Sequence, residues 1–247
     1  MAAVKKIKKS RFAVLIPLYN HEQKIADVVK KVLKLKFPVI VVDDGSTDSG
    51  AAKIRKIPGI KIIRHKENIG KGAALMTGFS EAAKFADWVI TIDADGQHDP
   101  ADAINMINSI PEGTRPIVVG MREGMSASDV PWTSSFGRKF SNFWVICSGG
   151  PDVKDTQSGF RIYPVPECLQ LDVKSKRFQF EVEIMVKANW KGIEVIECPI
   201  SVTYTPGMQR ISHFRPFVDF MRNSSVFTKL IFQRIVIPKF IRKKRKV

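Results

Sequence analysis

Between Phe12 and Arg122 the chain repeats one pattern: a short apolar run, then a longer stretch whose apolar positions recur three and four residues apart. The runs Phe12-Ala-Val-Leu-Ile-Pro17, Pro38-Val-Ile-Val-Val42, Ile60 to Arg64, Trp88-Val-Ile-Thr-Ile92 and Ile117-Val-Val119 read as strands. Most are β-branched and do not alternate with polar residues, which is the pattern of a strand covered on both faces. Ile25, Val28, Val29, Val32 and Leu33 share one face of a helix drawn from Glu22 to Lys36. Asn20 is placed to cap it, with Gln23 as reciprocal partner. Further helices are expected from about Thr47 to Ile57, from Asn68-Ile-Gly70-Lys71-Gly72 to about Phe85, and from Ala101 to Ser109. This alternation predicts an α/β fold with a mainly parallel central sheet flanked by helices.

Past Arg122 the rhythm changes. Trp132 to Cys147 is helical in pattern, with Phe136, Phe140, Phe143 and Trp144 to one side, suited to a core or to the tail of an apolar acceptor. Arg138 and Ser141 stand one turn apart on it, a spacing that can hold a phosphate. After Gly149-Gly150-Pro151, the polar loop Asp155-Thr-Gln-Ser-Gly159-Phe160-Arg161 leads into the short apolar run Ile162-Tyr163. A helix from Phe178 to about Trp190 opens with Glu181 and Glu183, acids that suit a helix N-terminus, and Ile193 to Cys198 is another strand. From Pro216 the chain is amphipathic: Phe217, Phe220, Val226, Leu230, Ile231 and Ile235 alternate with Arg222, Lys229 and Arg234. Such a helix suits either a membrane surface or packing on the domain. Three parts are expected: a basic arm over 1–11, an α/β domain over 12–215, and an amphipathic segment with a basic tail over 216–247.

Composition narrows the classes. With 247 residues and 44% hydrophobic content, the chain can bury a sizeable core. Its net charge is +16, concentrated at Lys5 to Arg11 and Arg242 to Lys246, which favours phosphate-rich or anionic-lipid partners. Cys147, Cys168 and Cys198 form no metal or disulfide spacing, so a reducing compartment is expected. There is no apolar leader segment and no long uncharged run, so neither a signal peptide nor a transmembrane helix is expected.

The candidate chemistry sits where strands end. In open α/β sheets ligands bind beyond the carboxyl ends of the strands. There stand Tyr19-Asn20, Asp43-Asp44, Asp93-Ala94-Asp95-Gly-Gln97 and Arg122. Asp93 and Asp95 project to one side if the strand geometry continues, and oxygen donors at this spacing suit Mg²⁺ or Mn²⁺ bridging to a substrate phosphate. Neither a dinucleotide fingerprint nor a P-loop occurs between Met1 and Gly120. Lys71, at a helix start, is placed to present an ammonium and backbone amides to phosphate. Clustered carboxylates argue against nucleic acid as the partner.

Taken together, Val14-Leu-Ile-Pro17-Leu-Tyr19-Asn20, Val42-Asp43-Asp44-Gly45-Ser46, Asn68-Ile-Gly70-Lys71-Gly72, Asp93-Ala-Asp95-Gly-Gln97-His98 and Ser158-Gly159-Phe160-Arg161 resemble the family-2 glycosyltransferases of GT-A fold. Within them the chain is similar to the dolichol-phosphate or polyprenyl-phosphate mannosyltransferase-like branch. Ile211 to Arg215 is similar to bacterial members associated with aryl-polyene or glycolipid synthesis. The resemblance implies a donor nucleotide pocket of Pro17, Tyr19, Asn20, Asp43, Asp44, Lys71, Asp93 and Ala94. It implies metal ligands Asp93, Asp95 and Gln97, catalytic residues Asp155, Arg122 and Arg161, and an acceptor-phosphate group of Arg122, Arg138 and Ser141. The implied activity is inverting transfer of a sugar from GDP-mannose or a UDP-sugar to a polyprenyl phosphate or other lipid-linked acceptor. It would take place on the cytoplasmic face of a membrane, with the enzyme peripheral. Alternatives are a hydroxyl acceptor on a glycolipid, polysaccharide or aryl-polyene, with Asp155 as base, and a non-catalytic nucleic-acid or anionic-lipid binding protein.

Overall fold

The structure, a computed structural model, describes residues 11–122, 132–202 and 216–237. Its strands are β1 (Phe12–Leu18), β2 (Val39–Asp43), β3 (Ile60–Arg64), β4 (Trp88–Thr91), β5 (Ile117–Arg122), β6 (Arg161–Pro164) and β7 (Val195–Ile200), in one sheet of order β3-β2-β1-β4-β6-β5-β7. β1, β2, β3 and β4 run parallel to one another, and β5 runs parallel to β7. β6 is antiparallel to both neighbours, with Ile162 facing Ile90 on one side and Val118 on the other. The helices are α1 (Ile25–Leu33), α2 (Gly50–Ile54), α3 (Lys71–Ala82), α4 (Asp102–Asn108), α5 (Trp132–Cys147), α6 (Val165–Leu169), α7 (Phe180–Lys191) and α8 (Pro216–Val236).

The unbroken apolar runs have a direct cause. Successive strand residues point to opposite faces, and both faces of this sheet are covered. Val14 and Ile16 join Val28, Val29, Val32 and Met106 in one core, under α1 and α4. Leu15 and Val42 join Leu75, Phe79, Phe180, Ile184 and Met185 in the other, under α3 and α7. A third, smaller cluster of Val145, Val182, Val186, Phe227 and Leu230 joins α5, α7 and α8. Among the described residues, no helix is long and apolar enough to cross a membrane.

Two local expectations are corrected. Asn20 does not cap α1, which begins at Ile25 behind Lys24 with no side-chain cap. Instead Asn20 adopts a left-handed φ of 51° and its side chain serves the loop after β2, as described below. The helix expected over 47–57 contracts to Gly50–Ile54, because residues 46–49 are tied to that same loop system.

Candidate active site

The carboxyl ends of β1, β2 and β4 lie side by side. Leu18 pairs with Asp43, the Asp44 amide donates to Leu18 O at 2.8 Å, and the Ile92 amide reaches Leu15 O at 3.1 Å. The loops that leave this edge are stitched by polar side chains rather than by packing. Asn20 Oδ1 accepts from the amides of Thr47 (2.8 Å) and Asp48 (3.3 Å), while the Asn20 amide donates to Ser46 Oγ (3.1 Å). Asp43 Oδ1 accepts from the Ser46 amide at 2.9 Å. Its buried Oδ2 has no hydrogen bond; Arg64 Nε stands 3.3 Å away as an ion-pair contact only. Pro17 and Tyr19 are half-buried beside this loop system.

Asp44 is taken up inside the protein, so the expectation that its carboxylate meets the donor is corrected. It is 2% exposed. Its oxygens accept from the amides of Ile69 (3.1 Å) and Gly70 (2.7 Å) and lie 2.7 Å from His65 Nδ1, whose Nε2 is 2.9 Å from Thr77 Oγ1. Gly45, at φ 71°, lets the turn approach the Glu67 and Asn68 backbone; a Cβ there would stand 2.4 Å from Glu67 C.

Lys71 is also corrected. The start of α3 is closed by residues 175–177: the Ala73 amide donates to Lys176 O at 2.9 Å, and Cβ atoms at Gly70 or Gly72 would collide with that segment and with Phe180. These glycines are demanded by the close approach of two backbones, so the helix start does not present its amides to a phosphate. The Lys71 ammonium instead bridges two carboxylates, Asp93 Oδ1 at 2.6 Å and Glu181 Oε1 at 2.7 Å. Burial alone favours the neutral forms of Lys71 and Asp93. For Lys71, burial is outweighed by Asp93 and Glu181, and its pKa is raised. For Asp93, burial is outweighed chiefly by Lys71, and its pKa is lowered. Glu181 is therefore a site residue that sequence reasoning gave only a helix-end role. Gly159 closes the other side of Asp93, where a Cβ would meet its carboxylate.

Asp95 and Gln97 follow in a tight turn at Gly96 (φ 75°), with Asp95 Oδ1 accepting the Gln97 amide at 3.0 Å. Both side chains are half-buried, whereas the Ala94 methyl is packed in the first core, leaving only its backbone near the edge. His98 is buried against Phe160, with ring centroids 5.5 Å apart, and burial lowers its pKa against the pull of Asp93 and Asp95.

On the other half of the sheet, Arg122 at the end of β5 grips Asp155 with two bonds, Nε–Oδ2 at 2.6 Å and Nη2–Oδ1 at 2.8 Å. Asp155 is buried and its oxygens are committed to that guanidinium, so it is a partner of Arg122 rather than a free base. Arg161 is corrected outright. It is fully buried in β6 and donates to Ser158 O (2.6 Å), Glu181 O (2.8 Å), Thr156 O (2.8 Å) and Tyr163 Oη (3.3 Å). A guanidinium spent on main-chain carbonyls braces the 156–158 loop and cannot touch substrate. Ser141 likewise turns inward, accepting from Thr156 Oγ1 at 3.0 Å, which removes it from the acceptor-phosphate group. Arg138 lies outside the residues whose side chains are described.

The family model described as "Glycosyl transferase family 2" matches residues 13–165. Uncharacterized protein MJ1222 of Methanocaldococcus jannaschii is 31% identical over 208 residues, covering 82% of this chain and 85% of that protein. The UDP-N-acetylglucosamine–dolichyl-phosphate N-acetylglucosaminyltransferase of Methanococcus voltae is 29% identical over 214 residues, covering 78% and 85%. Among solved structures, glucosyl-3-phosphoglycerate synthase from Mycobacterium tuberculosis, in complex with Mn²⁺, UDP and phosphoglyceric acid, superposes with a TM-score of 0.68. That match covers 94% of this chain and 80% of that one at 19% identity, a likeness of fold. The strand-end polar groups, the GT-A architecture and these relatives agree: the chain belongs to glycosyl transferase family 2, and dolichyl-phosphate glycosyltransferases are among the proteins it is similar to.

Proposed function

We propose that this enzyme moves a sugar, with inversion, from a nucleotide-diphosphate sugar of the UDP or GDP type to a polyprenyl phosphate or similar lipid-linked phosphate. The donor's base and ribose would lie over Pro17, Tyr19, Asn20 and Asp43, and Asp43 Oδ2 is the oxygen of that cluster left without a hydrogen bond. The proposal assigns Asp93, Asp95 and Gln97 to a divalent ion. Carboxylate and amide oxygens are hard donors that suit Mg²⁺ or Mn²⁺. Among the described residues no three His, Cys, Asp or Glu side chains converge on a metal position. Mg²⁺ at phosphate sites usually takes one or two carboxylates, with substrate phosphates and water completing its shell. Asp95 is the ligand best placed, since Asp93 is shared with Lys71. When bound, the ion supplies neutralisation of charge developing on the leaving diphosphate.

The choice of a phosphate acceptor rests on one observation: Arg122 holds both oxygens of Asp155. An acceptor hydroxyl needs a base to take its proton. A phosphate oxygen is already anionic and needs no base, and the positive charge of Arg122 at the site's edge would help to position it. In a test, purified protein is incubated with radiolabelled UDP- and GDP-sugars, Mg²⁺ or Mn²⁺ and a polyprenyl phosphate. Label should pass to the lipid, and chelation should stop the transfer. Label reaching only hydroxyl acceptors overturns the phosphate assignment; undiminished transfer under chelation overturns the metal.

A further inference from the structure

α8 carries apolar residues on two opposite sides. Its inner side is fixed: Phe227 and Leu230 are each 2% exposed, packed with Val145, Val182 and Val186, and Trp144 stacks on Phe227 at 6.3 Å. Arg234 Nη1 donates to Cys147 O at 2.6 Å, tying α8 to the end of α5. The outer side carries Met221, Phe232, Ile235 and Val236, exposed by 54%, 66%, 77% and 57%. At about 100° of rotation per residue, these four share an arc of about 100° on the side away from Phe227 and Leu230. A helix docked on a domain in water turns polar residues outward; this one turns out these four bulky apolar residues, with only Ser225 and Thr228 among them.

Charge names the occupant. Arg222 and Lys229, both exposed, border the strip on one flank. The α8 sequence contains one acid, Asp219, against Arg222, Lys229 and Arg234, and the chain continues beyond Pro238 into Arg242-Lys-Lys-Arg-Lys246. An apolar strip edged by cations is complementary to an anionic bilayer surface, where acyl chains lie just beneath negative headgroups. We infer that the outer strip of α8 seats this enzyme on an anionic lipid surface. α5, against which α8 packs, also holds the loop of Asp155: Asn142 Nδ2 donates to Lys154 O at 2.8 Å, and Asn142 Oδ1 accepts from Thr156 Oγ1 at 2.6 Å. The seat is thus joined through two contacts to the Arg122–Asp155 pair, which rests on the reading of a lipid phosphate as acceptor.

The experiment is co-sedimentation of the full chain with phosphatidylcholine vesicles, with and without phosphatidylglycerol. Wild type should bind the anionic vesicles and release at high salt. F232S/I235S, which alters two exposed side chains, should bind them at least about tenfold more weakly, with an unchanged melting temperature and an unchanged thermal shift by sugar nucleotide. Equal binding by variant and wild type overturns the inference, as does no vesicle binding by wild type. A dimer of wild type that the variant loses also overturns it, by assigning the strip to a second copy. Sugar transfer to a short, water-soluble polyprenyl phosphate is measured alongside. Transfer without vesicle binding removes the seat and leaves the proposed activity standing; vesicle binding without transfer to any lipid phosphate does the reverse.

Discussion

The two halves of the sheet neutralise buried polar groups by different means. On the β1–β2 side, side-chain oxygens are met mostly by backbone amides: Asp43 by Ser46, Asp44 by Ile69 and Gly70, Asn20 by Thr47 and Asp48. On the β5–β6 side, the guanidinium groups meet a carboxylate or main-chain carbonyls: Arg122 meets Asp155, and Arg161 meets Thr156, Ser158 and Glu181. Lys71, at the seam, joins the halves by bridging Asp93 and Glu181. The first device fixes loop shape and leaves the loop's outer surface for a ligand. The second fixes side chains of opposite sign against each other, so a charged ligand can enter only by competing with a partner already there.

The largest effect should come from an acid that uses the first device only locally, inside a single turn. Asp95 makes its described bond within its own turn, so Asp95→Ala should leave the melting temperature nearly unchanged while transfer falls roughly a thousandfold or more, if several kcal/mol of metal assistance is lost. Comparable activity in the variant removes Asp95 from the chemistry. Next comes the brace on the other half. Arg161→Met strands carbonyls of Thr156, Ser158 and Glu181 in the interior and should lower stability by about 3–5 kcal/mol, read as urea unfolding. An active, fully stable Arg161→Met protein would break the comparison. Asp44→Ala should cost about 2–4 kcal/mol through the two orphaned amides and His65. Its sugar-nucleotide affinity should fall no more than its folded fraction, since Asp44 faces inward.

Arg122→Lys sharpens the difference between the halves. It keeps the charge but loses the fork that grips Asp155. Transfer should drop about tenfold to a hundredfold, appearing in the acceptor KM while donor binding, followed by thermal shift, stays constant. A loss confined to donor binding would place Arg122 on the wrong half.

The same contrast decides what could be read from the sequence. β1, β2 and β4 were legible because a strand covered on both faces is an unbroken apolar run whatever its neighbours do. The acids at their carboxyl ends were legible because parallel sheets bind ligands there. β6 was not: it begins with a buried arginine, is four residues long, and becomes a strand only when β4 and β5 stand on either side of it. Arg161 and Ser141 looked like ligand-binding groups because a polar residue, whether in a loop-like stretch or on a helix, carries no mark of the carbonyls or hydroxyl that will use it. The Gly70-Lys71-Gly72 stretch looked like a phosphate cradle for a related reason. Its glycines answer to residues 175–177, a contact between segments remote in sequence that local pattern does not encode.

The smallest effect concerns how those halves are fastened together. Glu183, on α7, uses the amide device of the first half: its carboxylate accepts from Lys174 N (3.1 Å) and Ser175 N (2.8 Å), and it pairs with Lys187 at 2.7 Å. It thereby shapes the segment whose Lys176 carbonyl closes the start of α3. Burial pushes the Glu183 pKa up, but Lys187 and Ser175 outweigh it, and the group sits below its ordinary value of 4.5. A depressed carboxylate contributes stability that is fully present above the unfolded-state value and is lost as pH falls through the folded-state one. Glu183→Gln should therefore melt lower than wild type at pH 7, and the gap should narrow steadily below about pH 4.5, where wild type protonates the same group. A gap that stays constant down to pH 3 would mean that Glu183 acts by shape alone, and that the halves are joined without its charge.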